Sequence, residues 1–141
     1  MTNSRIVLLL SGGKLGTIKV EDIKENIFLP AKFDQNNILG MLTENGSDEV
    51  ILGFNSGHLA KIATNNFIIN RKITNNGYYS DSELNFVKTL NVNLALSIKA
   101  TAGNKEMTLK TIEINQKKSR FSKGIMTLKP KNDEITTFEI I

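Results

Sequence analysis

The stretch Leu8–Val20, LLLSGGKLGTIKV, decides the fold. A Gly-Gly-Lys behind a run of leucines reads in two ways, as a loop that cradles phosphate or as a tight turn joining two β-strands. A phosphate loop needs Gly-x-x-x-x-Gly-Lys-Ser/Thr opening a helix, so that backbone N–H groups surround the anion. Here Leu15 stands where Ser or Thr belongs, and the first glycine is missing. The residues that follow, Leu15-Gly16-Thr17-Ile18-Lys19-Val20, put Ile18 and Val20 on one face of a strand. The stretch therefore reads as a hairpin whose glycine takes a positive φ.

The same pattern recurs along the chain. Ile6–Ile23, IVLLLSGGKLGTIKVEDI, aligns without a gap on Val50–Phe67, VILGFNSGHLAKIATNNF, 44 residues later. Gly13 falls on Gly57, Leu15 on Leu59, Ile18 on Ile62 and Ile23 on Phe67. A looser third copy, Leu94–Ile114, places Leu109 under Ile62 and Ile114 under Phe67 at an offset of 47, with Gly103 near the turn. Units of about 45 residues match the period of blades in propeller-like β folds.

The remaining segments agree with β structure. NIFLPAKFD, NNILGMLTEN, NFIINRKITNNGYYSD, NFVKTLNVNLALSIKA and KGIMTLKPKNDEITTFEII are short apolar or alternating runs broken by Asn-Gly, Asn-Asp and Pro turns. No stretch keeps a helical apolar period for long, which leaves only brief helical turns at Val20–Glu25 or Ile112–Lys118. The expected fold is all-β: a single domain over 1–141 made of approximate repeats 5–48, 49–91 and 92–141, each a four-stranded blade. Three blades are fewer than the roughly 4–8 of a closed propeller, so the array is an open arc or part of a larger ring.

Composition bounds what such a domain does. At 141 residues and 15.7 kDa the chain fits one ordinary domain with enough length for a real core. The apolar run Ile6–Leu10 is too short to cross a bilayer and lacks the features of a secretory signal. Without Cys there is no disulfide framework and no thiolate zinc site. A cytoplasmic, nucleoid-associated protein with no membrane partner and no cofactor is expected. Arg occurs only at Arg5, Arg71 and Arg120 while Asn, Ile and Lys abound, the bias of an A/T-rich coding genome. Scarce Arg is thus no objection to a nucleic-acid partner.

Charge is distributed unevenly. Residues 1–90 carry nine Lys and Arg against nine Asp and Glu, and residues 91–141 carry nine against five, so the net +4 belongs to the last repeat. Between Lys99 and Lys131 nine basic groups face only Glu106 and Glu113. Such clustering is the footprint of a polyanion partner, because neutralising phosphates releases condensed counterions. The plainer reading is a solvated surface. Arg120 can fork two N–H groups onto one phosphate, with Lys117, Lys118 and Lys123 as point charges around it. Lys110, Lys129 and Lys131 would extend the track along neighbouring strands.

Aromatic residues bear on the kind of nucleic acid. Single-strand binders interleave several aromatics with the basic groups. Here Trp is absent, and Phe121 is the one aromatic inside the cluster, expected as a core anchor beneath Arg120. Duplex DNA held by its phosphate backbone, with little base readout, is the expected partner. Tyr78 and Tyr79 follow Asn75-Asn76-Gly77 in an expected hairpin tip, where they either touch a partner or pack.

No constellation for catalysis is legible. His58, the sole His, aligns with Lys14 beside a turn glycine, an exposed hairpin position. The carboxylate pairs Glu21-Asp22, Asp48-Glu49 and Asp133-Glu134 are sequence neighbours that diverge on a strand or serve a turn. No catalytic residue and no metal-ligand set is expected.

Glu106–Ile140, EMTLKTIEINQKKSRFSKGIMTLKPKNDEITTFEI, resembles the β-pinwheel blade in the C-terminal domain of the A subunit of bacterial type IIA topoisomerases. The likeness lies in Met107-Thr108-Leu109-Lys110-Thr111, then Arg120-Phe121-Ser122-Lys123, then Ile125-Met126-Thr127-Leu128-Lys129, then the acidic turn Asn132-Asp133-Glu134-Ile135. The openings RIVLLLSGGKLGTIKVEDI and EVILGFNSGHLAKIATNNF are similar to the family's generic strand, turn glycine, strand, short helix. The glutamine-arginine-arginine-glycine-glycine-lysine-glycine box of gyrase A subunits is absent, so the resemblance is to the topoisomerase IV type more than to gyrase, or to a decayed relative. Repeats one and two carry IFLPAKFDQNNIL and INRKITNNGYYSD in place of the Arg-x-x-x-Lys-Gly stretch.

The resemblance implies a non-catalytic module that binds and bends duplex DNA on a basic outer rim. It would steer DNA to a catalytic core formed by the remainder of the A subunit and the B subunit. In that family the strand-passing tyrosine lies in the breakage-reunion region, and neither Tyr78 nor Tyr79 has matching surroundings. The alternative is a protein-interaction β-propeller-like module in which the neutral first two units bind a protein and the basic third serves solubility.

Overall fold

The computed structural model describes residues 5–19, 38–43, 48–67, 73–74, 76–91 and 95–141. Strands β1 (Arg5–Leu10) and β2 (Lys14–Lys19) pair antiparallel from Leu10↔Lys14 to Arg5↔Lys19, joined by a 3₁₀ turn at Ser11–Gly13. β4 (Asp48–Phe54) and β5 (His58–Ala63) repeat the hairpin, as do β8 (Ser97–Ala102) and β9 (Lys105–Lys110). The glycine shared by the three turns has φ +81 at Gly13, +94 at Gly57 and +62 at Gly103, a conformation that excludes most side chains. LLLSGGKLGTIK, Leu8 to Lys19, is a hairpin, and the recurrence of its glycine is the recurrence of that turn.

Each hairpin is the centre of a sheet. β3 (Ile38–Thr43) joins the first along β1, giving the order β3-β1-β2-β6 with β6 at Ile73–Thr74. β7 (Leu84–Asn91) joins the second along β4. Two short strands, β10 (Gln116–Lys117) and β11 (Ile125–Met126), share the outer side of β5. β12 (Thr137–Ile140) joins the third along β8. The units therefore exchange strands. The stretches after β5 and β9 leave their own units and cap the preceding sheet, β6 on the first and β10 with β11 on the second.

The sheets do not close on one another, and the architecture is an all-β pinwheel arc. The expected four strands per blade hold in the first sheet. In the second the fourth place is split between β10 and β11, and among its described residues the third sheet has three strands.

Burial follows this order. Val50, Leu52 and Phe54 pack with Val7, Leu9, Leu15 and Leu42 of the first sheet, while Ile51 and Leu59 pack with Ile98, Leu109 and Ile114 of the third. The middle sheet is covered on both faces, so β4 reads as a continuous apolar run, whereas β8 alternates buried and half-buried residues. Two close approaches set the spacing of neighbouring sheets. A Cβ on Gly40 would lie 2.6 Å from Val87 of β7, and one on Gly53 would lie 2.5 Å from the Phe138 ring of β12.

Two local expectations are corrected. Residues 76–83 are no hairpin tip, because β6 and β7 belong to different sheets and the chain crosses between them. Gly77 and Tyr78 donate backbone N–H groups to the Gly13 carbonyl at 2.7 and 3.3 Å, and the Tyr78 hydroxyl donates to the Leu10 carbonyl. Tyr78 is buried, which pushes its pKa up, and Tyr79 meets the Phe54 ring edge-on at 5.0 Å. Both tyrosines pack. Within 112–118 the helical turn shrinks to a 3₁₀ turn at Thr111–Glu113, since Gln116 and Lys117 take ladder positions on β5. The other expected turn, Val20–Glu25, lies outside the described residues.

Candidate nucleic-acid interface

β10 runs parallel to β5, pairing Gln116 with Lys61 and Lys117 with Ile62. The chain turns and comes back as β11, antiparallel to the same strand, pairing Ile125 with Leu59 and Met126 with His58. The seven residues Lys117-Lys118-Ser119-Arg120-Phe121-Ser122-Lys123 thus stand as one loop on the outer edge of the middle sheet. Serines close it. Ser122 N–H donates to the Ser119 carbonyl at 3.2 Å, Phe121 N–H to Ser119 Oγ at 3.1 Å, and Gly124 N–H to Ser122 Oγ at 3.2 Å.

The loop is anchored at both ends. Gly124 has φ +76, and a Cβ there would fall 2.1 Å from the Leu59 carbonyl oxygen, so glycine is what lets the chain descend onto β5. Beyond β11, the N–H and hydroxyl of Thr127 both donate to the Gly57 carbonyl, at 2.8 and 2.7 Å. On the β10 side, Gln116 Nε2 donates to Glu49 Oε2 at 2.5 Å, and Lys61 Nζ lies 4.0 Å from the same oxygen while donating to the Thr111 carbonyl at 3.1 Å. Glu49 is buried on β4, and this polar cluster gives its charge partners instead of leaving it to a turn.

The sequence-predicted residues fall into three groups. Lys117, Lys118, Arg120 and Lys123 come together on the loop, with Lys118 and Lys123 exposed and Lys117 and Arg120 half-buried. Lys129 and Lys131 are exposed on the segment after β11. That segment ends in a tight turn where Glu134 N–H donates to the Lys131 carbonyl at 3.0 Å and Asn132 and Asp133 take φ +52 and +66. Lys110 ends β9 on the third sheet, one residue before the Thr111 carbonyl that Lys61 holds. Strand exchange therefore carries much of the basic charge of the third repeat onto the edge of the second sheet, instead of its own.

None of the seven makes an ion pair among the described residues. Lys99 differs, lying 3.0 Å from Glu139 and 3.8 Å from Glu106, and the hydrogen bond and charge of Glu139 raise its pKa. A cation already compensated in this way adds little to an outward potential.

Phe121 is not a core anchor. It is 46% exposed and belongs to neither apolar cluster of the described residues. The Arg120 guanidinium lies over its ring at 4.7 Å from the centroid, and Arg120 Nε is buried without a hydrogen-bond partner. Stacking on a ring fixes the plane of a guanidinium, which favours the forked geometry that phosphate requires.

His58 is a neighbour of this loop that sequence reasoning missed. Its Nδ1 is 2.8 Å from Ser56 Oγ and its ring is 6.4 Å from that of Tyr79. Burial, with a further contribution from the Lys123 charge, lowers its pKa below the ordinary 6.5. The alignment with Lys14 gave it an open hairpin position, and the covering strand β11, supplied from nearly 70 residues away, carried no local signal. Chemically the loop offers donors and positive charge with no carboxylate among its seven residues, an arrangement suited to a polyanion.

No family model and no curated protein matches the chain. Solved structures do. The chain is similar to the C-terminal domain of DNA topoisomerase IV, with a TM-score of 0.77 at 11% identity, over 99% of this chain and 48% of that one. It is also similar to the DNA gyrase A C-terminal domain, with a TM-score of 0.61 at 16% identity, again over 99% and 48%. The fold implied by the resemblance at Glu106–Ile140 is the fold observed, and the chain spans about half the length of each of these two structures.

Proposed function

We propose that this chain is a non-catalytic module that binds and bends duplex DNA through its phosphate backbone, as a single domain of three repeats at 5–48, 49–91 and 92–141. The observation that carries the reading is the loop on β5, where four cations within seven residues have no acidic partner among the described residues. Lys129, Lys131 and Lys110 extend the contact. The likeness to C-terminal domains of topoisomerase IV and gyrase A supports a place in a type IIA topoisomerase A subunit. There the module would work beside the B subunit, in the cytoplasm and on the nucleoid, presenting DNA to a core that lies elsewhere. Bending a duplex costs on the order of a few kcal/mol, which several phosphate contacts offset.

Duplex binding followed by fluorescence anisotropy across a salt series tests this. Replacing Lys117, Lys118, Arg120 and Lys123 by Ala should weaken binding about tenfold or more at roughly 0.1 M salt, equally for unrelated sequences, and flatten the log–log salt slope by about 3.6. A wild-type slope near zero, or an unchanged slope in the variant, overturns the assignment.

A further inference from the structure

The exposure of Phe121 follows from its place in the loop. Ser122 N–H donates to the Ser119 carbonyl across a four-residue turn, so Arg120 and Phe121 are the two central residues of that turn. The Phe121 N–H is held by Ser119 Oγ, which fixes the backbone from which the ring projects. Lone exposed apolar side chains are ordinary on protein surfaces. This one differs in its company, because Lys117, Lys118, Ser119, Arg120, Ser122 and Lys123 around it are all cationic or hydroxylic.

That company selects the partner. The centre of a protein-binding patch is depleted in Lys, whereas a ring set among cations is carried by them onto a polyanion whose interior is flat and aromatic. Stacking of a base on an aromatic side chain tolerates any sequence, since every base has a π face. We propose, on the reading of this loop as a phosphate-binding surface, that Phe121 is its base-contacting residue, a ring that stacks at a base step opened on one side. The Arg120 guanidinium, 4.7 Å from the ring centroid, backs one face of the ring, which leaves the other face for a base and keeps the fork beside the phosphate of the same step.

Apolar wedges of this kind unstack a step and kink the duplex. The bend then has a defined origin, at the turn from Ser119 to Ser122. Opening a step is easiest where stacking or pairing is weak, so the loop prefers deformable or mismatched sites without reading the identity of any base. Ring and charge are separable, because the phosphate contacts stay with the four cations. Removing the ring abolishes the preference and spares the salt dependence, and removing the cations flattens the salt dependence.

The chain has no Trp, so Phe121→Trp puts a single indole in the turn. In the full chain its fluorescence should be quenched by a short duplex and left unchanged by inorganic polyphosphate, which has the charge but no bases. Anisotropy should show wild type preferring a duplex with one central mismatch over its fully paired counterpart by about fivefold or more. Phe121→Ala should lose that preference while keeping the wild-type log–log salt slope. Circular dichroism spectra matching wild type check that both variants are folded, as substitution at an exposed turn position allows. An indole that duplex leaves unquenched, one quenched equally by polyphosphate, or a mismatch preference that survives Phe121→Ala overturns the base contact, while a steep salt slope leaves the phosphate reading standing. A wild-type slope near zero removes both.

Discussion

Arg120 and Phe121 show how far single residues carry the reading. Their types and spacing point to the proposed phosphate contact, and the structure puts Arg120 on a loop whose seven residues include no acid. Phe121 was misjudged because an aromatic in a short apolar run ordinarily turns inward, and nothing local reveals that this one belongs to neither apolar cluster of the described residues. His58 shows the reverse case, a residue that looks open in sequence and is covered by a distant strand. Its lowered pKa has a stability consequence. Below the unfolded value of 6.5 the unfolded chain binds the proton more readily than the folded one, so the folded state loses stability as pH falls through 6.5 toward the lower folded value. Urea denaturation at pH 7.5 and about pH 5.5 should show a smaller acid-induced loss in His58→Gln than in wild type. Equal losses would mean that the imidazole is not desolvated by β11.

Elements of different length were legible to different degrees. The hairpins could be read because a positive-φ glycine and the apolar positions around it recur at a fixed spacing, and both constraints are local. β10 and β11 could not, since each has two residues and takes its hydrogen bonds from β5, more than 50 residues earlier in the chain. What fixes them is close fit. At Gly124, alanine would combine a left-handed backbone with a Cβ 2.5 Å from Ala60 Cα. Gly124→Ala should cost roughly 1–3 kcal/mol and release the loop from the sheet edge. DNA affinity should then fall although every charge remains, and amide exchange should quicken at Leu59 and Ala60. Normal protection with normal affinity would show that the loop holds its shape without this anchor.

At the scale of the whole molecule, charge and packing are built from the same residues. The repeat period announced the units, but exchange between them lies in the topology and is invisible to an alignment of the units with one another. It makes the third unit a structural part of the second. β10 and β11 cover β5, and Phe138 seats on Gly53 and lies 6.0 Å from Phe86. Cutting the chain after Asn91 therefore does more than remove a basic segment. It bares Ile51 and Leu59, both fully buried, and leaves Glu49 without Gln116. Burying a Leu or Ile side chain contributes about 1.5–3 kcal/mol, and small domains have only about 5–15 kcal/mol in hand, so the fragment 1–91 should lose its cooperative thermal transition or aggregate. The fourfold Ala variant of the loop should instead keep a cooperative transition, because it removes two exposed and two half-buried side chains and leaves Ile51, Leu59 and the Glu49–Gln116 contact in place. Calorimetry on the two separates loss of fold from loss of charge. A fragment that melts as sharply as the intact chain would mean that the first two units are self-sufficient, and that the exchanged strands serve the interface alone.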